Sequence, residues 1–168
     1  MKVTSPPPDD DGIRALAARL GELALARQVM LATAESCTGG LVAGAITEIA
    51  GSSGWFERGF VTYSNRAKIE QLGVDPEVIA RHGAVSEQTV KAMAQGARAA
   101  SHAQWAVAVT GIAGPAGGSP DKPVGTVWFA WAGPKGVEAL HRRLDGNRAA
   151  VRSASVAIAL KGMVDRLG

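Results

Sequence analysis

Cysteine is almost missing. Cys37 is the single cysteine in 168 residues, so no intramolecular disulfide can form. The three histidines are scattered, and with that one thiol they give no metal-ligand spacing; neither a metal nor any other cofactor is expected. Aromatic residues make up only 5%, in a composition rich in alanine and glycine that suits a soluble globular protein. No apolar run is long enough to cross a membrane and no signal peptide is visible, which makes the cytoplasm the expected location. Lys and Arg exceed Asp and Glu by only 3, with no basic run, so nucleic acid is not an expected partner. That mild positive bias still suits a small anionic ligand. There is no internal repeat and no Gly-Lys-Ser/Thr ending of a Walker loop.

The sequence is most informative at Ala34-Glu35-Ser36-Cys37-Thr38-Gly39-Gly40. Before it, Val29 to Ala34 is a short apolar run that reads as a buried strand; after it, Leu41 to Ala50 has the apolar pattern of a helix packed on a sheet. A strand, a tight turn and a helix start form a natural anion or oxyanion site, because the first helical amides lack intrahelical partners. Ser36 and Cys37 are both candidate nucleophiles there. Ser36 or Thr38 could equally do no more than cap the helix. The pair Gly39-Gly40 favours a ligand, since glycines allow close backbone approach.

Elsewhere the chain alternates. Residues 1–11, with Pro6-Pro7-Pro8 and three aspartates, read as a disordered lead-in, its end suited to cap a helix, to a single domain over 12–168. A helix is expected over 13–27, a strand over 60–63, short helices from Asn65 and Pro76, and a helix from the Ser86 cap to about Ala100. Gln104 to Thr110 is a nearly all-apolar strand leading into the glycine-rich loop 111–118. Strands over 124–131 and 137–144 flank the turn Gly133-Pro134-Lys135-Gly136, and a helix over 147–167 closes the chain. The order predicts an α/β fold: a mixed, mostly parallel sheet with helices on both faces. Ligands collect beyond the carboxyl ends of parallel strands, so the Ser36 turn and the 111–118 loop can share one crevice.

A serine needs a base beside it. His82 and His102 fall near helix or connector ends and His141 on a strand, none in a turn of this kind. Lys68 is the alternative, provided burial or nearby positive charge lowers its pKa. It follows Tyr63-Ser64-Asn65-Arg66, which holds the only tyrosine. Glu35 either complements the helix dipole or orients a ligand hydroxyl.

Six blocks in this order, from Ala34–Gly40 through Tyr63-Ser64-Asn65 with Lys68, Leu72-Gly73-Val74, Gly83-Ala84-Val85-Ser86 and Thr110–Gly118 to Lys122-Pro123-Val124-Gly125-Thr126-Val127, closely resemble the CinA C-terminal domain family. The resemblance runs from about residue 12 to the end. It implies a three-layer α/β/α fold and hydrolysis of the carboxamide of nicotinamide mononucleotide to nicotinate mononucleotide and ammonia, in pyridine nucleotide salvage, without a metal. It also implies that Ser36, Lys68 and Tyr63 are the catalytic residues. Glu35, Thr38, Gly39, Gly40, Asn65, Thr110, Gly111, Gly114 and Gly117 are then expected around the substrate, and Arg148 near its phosphate. A homo-oligomer, most simply a dimer, is the expected assembly. The competing expectation is a nucleotide or phosphometabolite binding protein with the same loops and a degenerate site.

Overall fold

The computed structural model describes residues 9–168. Helix α1 spans Asp10–Arg27, with the Asp9 carboxylate accepting from the Gly12 amide at 2.9 Å as its N-cap. The end of the lead-in thus caps a helix, as expected, through Asp9, and α1 already includes Asp10 and Asp11; the rest of that lead-in, residues 1–8, lies outside the described residues. The chain continues through β1 (Leu31–Glu35), α2 (Leu41–Thr47), β2 (Phe56–Val61), α3 (Asn65–Leu72), α4 (Pro76–His82), α5 (Glu87–Ala99), β3 (Trp105–Gly111), β4 (Thr126–Gly133), β5 (Gly136–Arg143) and α6 (Arg148–Leu167).

The sheet order is β2-β1-β3-β4-β5. β1 pairs parallel with both β2 and β3, while β4 runs antiparallel to β3 and to β5, so only β4 is reversed. The two interior parallel strands end side by side, at Glu35 and Gly111. Every residue of β1 is buried because helices cover both of its faces. On one face, α1, α2 and α6 enclose a core with Leu20, Leu31, Trp55, Val107, Phe129 and Leu160. On the other, alanines at 32, 34, 106, 108, 130 and 132 form a low floor under Val90 and Met93 of α5. Small residues there let α5 lie close to the sheet, and α3 closes onto α5 in turn. A Cβ on Gly96 of α5 would meet the Leu72 carbonyl oxygen at 1.9 Å. That contact fixes the end of the helix that carries Lys68.

β2 departs most from the sequence reading. It begins four residues before the expected 60–63 and stops at Val61, leaving Tyr63 beyond the strand. Glu57, Arg58 and Gly59 carry no apolar alternation, because β2 is an edge strand with exposed positions and needs none. Helix α2 also stops at Thr47, short of the expected Ala50. No helix among the described residues is long and apolar enough to cross a membrane.

Candidate active site

The turn after β1 is held from three sides. The Ser36 amide donates to the Val109 carbonyl of β3 at 3.0 Å, so the neighbouring parallel strand sets where the serine emerges. The Gly39 amide donates back to the Ser36 carbonyl, also at 3.0 Å. Gly39 and Gly40 take positive φ values of 57° and 104°, a conformation that side chains with a Cβ resist.

Glu35 has a structural task here. Its carboxylate accepts from the Thr38 hydroxyl at 2.7 Å and from the Val42 and Ala43 amides at 2.8 and 3.1 Å. Both oxygens are thus engaged inside the protein, and the residue is 1% exposed. The same bonds consume the start of α2, since Leu41 donates to the Thr38 carbonyl and Gly44 to the Gly40 carbonyl. The amides from Leu41 to Gly44 are thus engaged, while among the described residues the Gly40 amide has no acceptor. The Thr38 hydroxyl is likewise committed to Glu35. Among the described residues, the amides of Cys37 and Thr38 have no acceptor outside their own residue; Thr38 is fully buried, whereas Cys37 keeps 6% exposure.

Lys68, on the first turn of α3, enters this turn from the side. Its Nζ lies 2.9 Å from Ser36 Oγ, 2.9 Å from the Thr62 carbonyl and 3.5 Å from the Tyr63 carbonyl. Ser64 makes this approach possible by capping α3 with a bond from the Ala67 amide. Lys68 is 1% exposed, and burial pushes its pKa below the ordinary lysine value, partly opposed by the Cys37 thiol nearby. No carboxylate contributes to hold its charge. A neutral amine suits the three contacts well: two N–H groups for two carbonyls and a lone pair for the serine proton.

The other expected residues are spread over two neighbouring loops. The Tyr63 side chain is exposed, and its phenol accepts from Arg148 Nη2 at 3.1 Å; it reaches Lys68 only through its backbone carbonyl. Arg148 opens α6 and also donates from Nη1 to the Gly114 carbonyl at 2.8 Å, joining the Tyr63 loop to the glycine-rich loop. Thr110 is buried and its hydroxyl donates to the Ala84 carbonyl at 3.0 Å, tying β3 to the 83–86 connector. Gly111 and Gly114 leave room for neighbours: added Cβ atoms would meet Val127 and Val124 side chains at 2.8 and 2.4 Å. Gly117 turns the loop at φ 95°, and Asn65 sits exposed at the start of α3. Arg152 was not singled out from sequence. Its guanidinium donates to the Cys37 carbonyl at 3.1 Å and the Thr38 carbonyl at 3.4 Å. A signal existed, because four residues after Arg148 is the same face of a helix.

Cys37 is the second nucleophile candidate of the turn, and its surroundings oppose that role. Burial raises its thiol pKa to about 11, so almost no thiolate exists near neutral pH. Cys37→Ser is expected to retain activity within about threefold and to leave the protein indifferent to iodoacetamide. A dead variant in a steady-state assay would transfer the nucleophile to Cys37.

The CinA C-terminal domain model matches residues 13–167. The chain belongs to this family. Among curated family relatives, the nicotinamide-nucleotide amidohydrolase PncC of Pseudomonas putida is 54% identical over 154 residues, which cover 92% of this chain and 96% of that one. PncC of Escherichia coli K12 is also 54% identical, covering 90% and 93%. The crystal structure of the competence/damage inducible protein CihA from Agrobacterium tumefaciens superposes with a TM-score of 0.88 at 49% identity, covering 96% of this chain and 98% of that chain. The CinA superfamily protein of Klebsiella pneumoniae 700603 gives 0.89 at 38% identity, with 92% and 97% covered. The five-stranded mixed sheet between two helical layers is thus the arrangement of the CinA family.

Proposed function

We propose that this protein is a nicotinamide-nucleotide amidohydrolase that converts nicotinamide mononucleotide and water to nicotinate mononucleotide and ammonia through Ser36 and Lys68. The observation that carries this reading is the buried Lys68 amine 2.9 Å from the Ser36 hydroxyl, in a chain of the family that contains the PncC amidohydrolases.

The chemistry follows from that contact. An amide is a poor electrophile, but a pyridinium ring draws electron density out of its carboxamide. Ser36 Oγ attacks the carbonyl carbon while neutral Lys68 takes the hydroxyl proton. Lys68 then delivers that proton to the departing nitrogen, the C–N bond breaks, and ammonia leaves an ester on Ser36. Water, deprotonated by the same amine, cleaves the ester, restoring the Ser36 hydroxyl and releasing the carboxylate. The Thr62 carbonyl keeps the amine aimed throughout. At the mouth, the exposed Arg148 guanidinium supplies positive charge for the phosphate, with Tyr63 and Gly114 as its anchors.

Purified protein mixed with nicotinamide mononucleotide is expected to release ammonia in amounts equal to nicotinate mononucleotide, with no loss on adding EDTA. Free nicotinamide is expected to be a poor substrate, since it lacks the phosphate, the ribose and the fixed ring charge. Tight binding of the nucleotide without ammonia would replace this reading by that of a binding protein. Equal rates on nucleotide and free base would remove the nucleotide from the assignment.

A further inference from the structure

β5 ends one side of the sheet with a free edge. Its register with β4 runs unbroken from the pair Gly133 and Gly136, across a two-residue turn, to Thr126 and Arg143. Such a turn closes on a hydrogen-bonded pair, so Gly136, Glu138, Leu140 and Arg142 are the residues that bond β4. The Leu144 amide keeps that phase by donating to the Gly125 carbonyl at 2.8 Å. Val137, Ala139, His141 and Arg143 therefore turn their N–H and C=O groups away from the sheet. The His141 carbonyl agrees with this direction, since it accepts from Nη1 of the next residue, Arg142, at 2.8 Å. No proline, lysine or bulge interrupts β5, and these are the devices that keep one edge from pairing with another. The opposite edge is different: β2 is shorter, its register with β1 shifts near its start, and its Glu57 and Arg58 already pair with each other.

The side chains of β5 carry a two-fold pattern. Glu138, Leu140 and Arg142 stand opposite Trp131, Phe129 and Val127, so they share the sheet face of the α6 core. Arg166 of α6 donates to Glu138 Oε2 at 2.6 Å, and among the described residues Oε1 has no partner. Leu140 lies midway between Glu138 and Arg142. An antiparallel copy of β5 turned about Leu140 sets Glu138 of each chain opposite Arg142 of the other, and Leu140 opposite itself. The same axis sets Ala139 opposite His141 and Val137 opposite Arg143, all with outward backbone groups, so the new ladder forms where donors and acceptors are free. The charged pairs and the leucines take the intervening positions, where side chains approach more closely. Moving the axis to Ala139 or His141 keeps the ladder but separates both charge pairs, so the sequence selects Leu140.

We propose that this protein forms a symmetric dimer by pairing β5 with β5 of a second copy about Leu140, giving one sheet that runs through both chains. The His141 carbonyl then exchanges its own neighbour's guanidinium for the Ala139 amide of the second copy, which frees Arg142 for Glu138. β3 and β4 separate this edge from the strand that leads to Ser36, so both catalytic turns stay open and each copy works alone.

Sedimentation equilibrium over a concentration series is expected to show wild type as a dimer in equilibrium with monomer. Ala139→Pro removes an outward N–H and takes no bond from β4, a place where a strand tolerates proline, and should raise the dimer Kd by about 10²-fold. Glu138→Arg and Arg142→Glu each set like charges opposite one another and should each raise it by about tenfold or more. The two together restore opposite charges at both pairs, and Kd should return to within about threefold of wild type. That rescue separates pairing in this register from a general defect, since independent defects would add in the double variant. Thermal unfolding and ammonia release per chain should stay near wild type throughout, and the mass readout stands whether or not the protein releases ammonia. A monomeric wild type, a dimer indifferent to Ala139→Pro or to the single charge reversals, or a double variant as weak as the singles would overturn the proposal. Should Ala139→Pro not fold, the charge exchange decides alone.

Discussion

Ser36→Ala is expected to lose turnover of nicotinamide mononucleotide by roughly 10³- to 10⁶-fold, the range for removing a covalent nucleophile whose partners remain in place. KM should change little, because Ser36 forms its new bond only after substrate is bound. The fold should be unaffected: the β3 and Gly39 ties to residue 36 are made by its backbone amide and carbonyl, which alanine keeps. Thermal unfolding within a few degrees of wild type, together with retained product binding, checks that the loss is chemical. Activity within tenfold of wild type would remove Ser36 from the reaction.

The second large effect is at Lys68. Lys68→Met removes the base and the proton donor together, and a loss of about 10²- to 10⁴-fold in kcat is expected. Lys68→Arg should fare no better, since a guanidinium keeps its proton at any working pH. The sign of the pH dependence follows from burial. The folded-state pKa lies below that of a free lysine, so the amine is protonated and idle at low pH and becomes competent as pH rises through the depressed value. Wild-type kcat should therefore climb with pH to a plateau reached below the usual lysine pKa of about 10.4. Stability follows in the same direction. Between the folded pKa and that of the unfolded chain, the unfolded state binds more protons, so wild-type stability rises with pH, and Lys68→Met should lack that slope. Turnover in Lys68→Arg near wild type would reassign the base.

The turn between β1 and α2 was legible because its signals are local. A strand, small residues, two glycines and a helix start lie within a few positions, and the structure keeps them in that order. The caps at Ser86 and the break before Pro76 were legible for the same reason. What escaped depended on the third dimension. The edge position of β2 frees it from alternation, so the strand was expected only from residue 60 and not from Phe56. Glu35 read as either a dipole partner or a ligand holder, and the structure engages its carboxylate with the Thr38 hydroxyl and the Val42 and Ala43 amides, three to eight residues further along the chain. Arg152 is 115 residues from the Cys37 carbonyl it bonds; its spacing from Arg148 puts it on the same helix face but does not mark that partner. Tyr63 follows the strand instead of ending it, which turns its phenol outward to Arg148.

The most direct measurement is the mass of the protein quenched in acid milliseconds after mixing with nicotinamide mononucleotide. A covalent adduct of nicotinate mononucleotide less water is predicted, mapping to the peptide that contains Ser36, forming no slower than the burst of ammonia and absent in Ser36→Ala. Ammonia release at the full wild-type rate with no adduct at any time, or with the adduct on Cys37, would contradict the account.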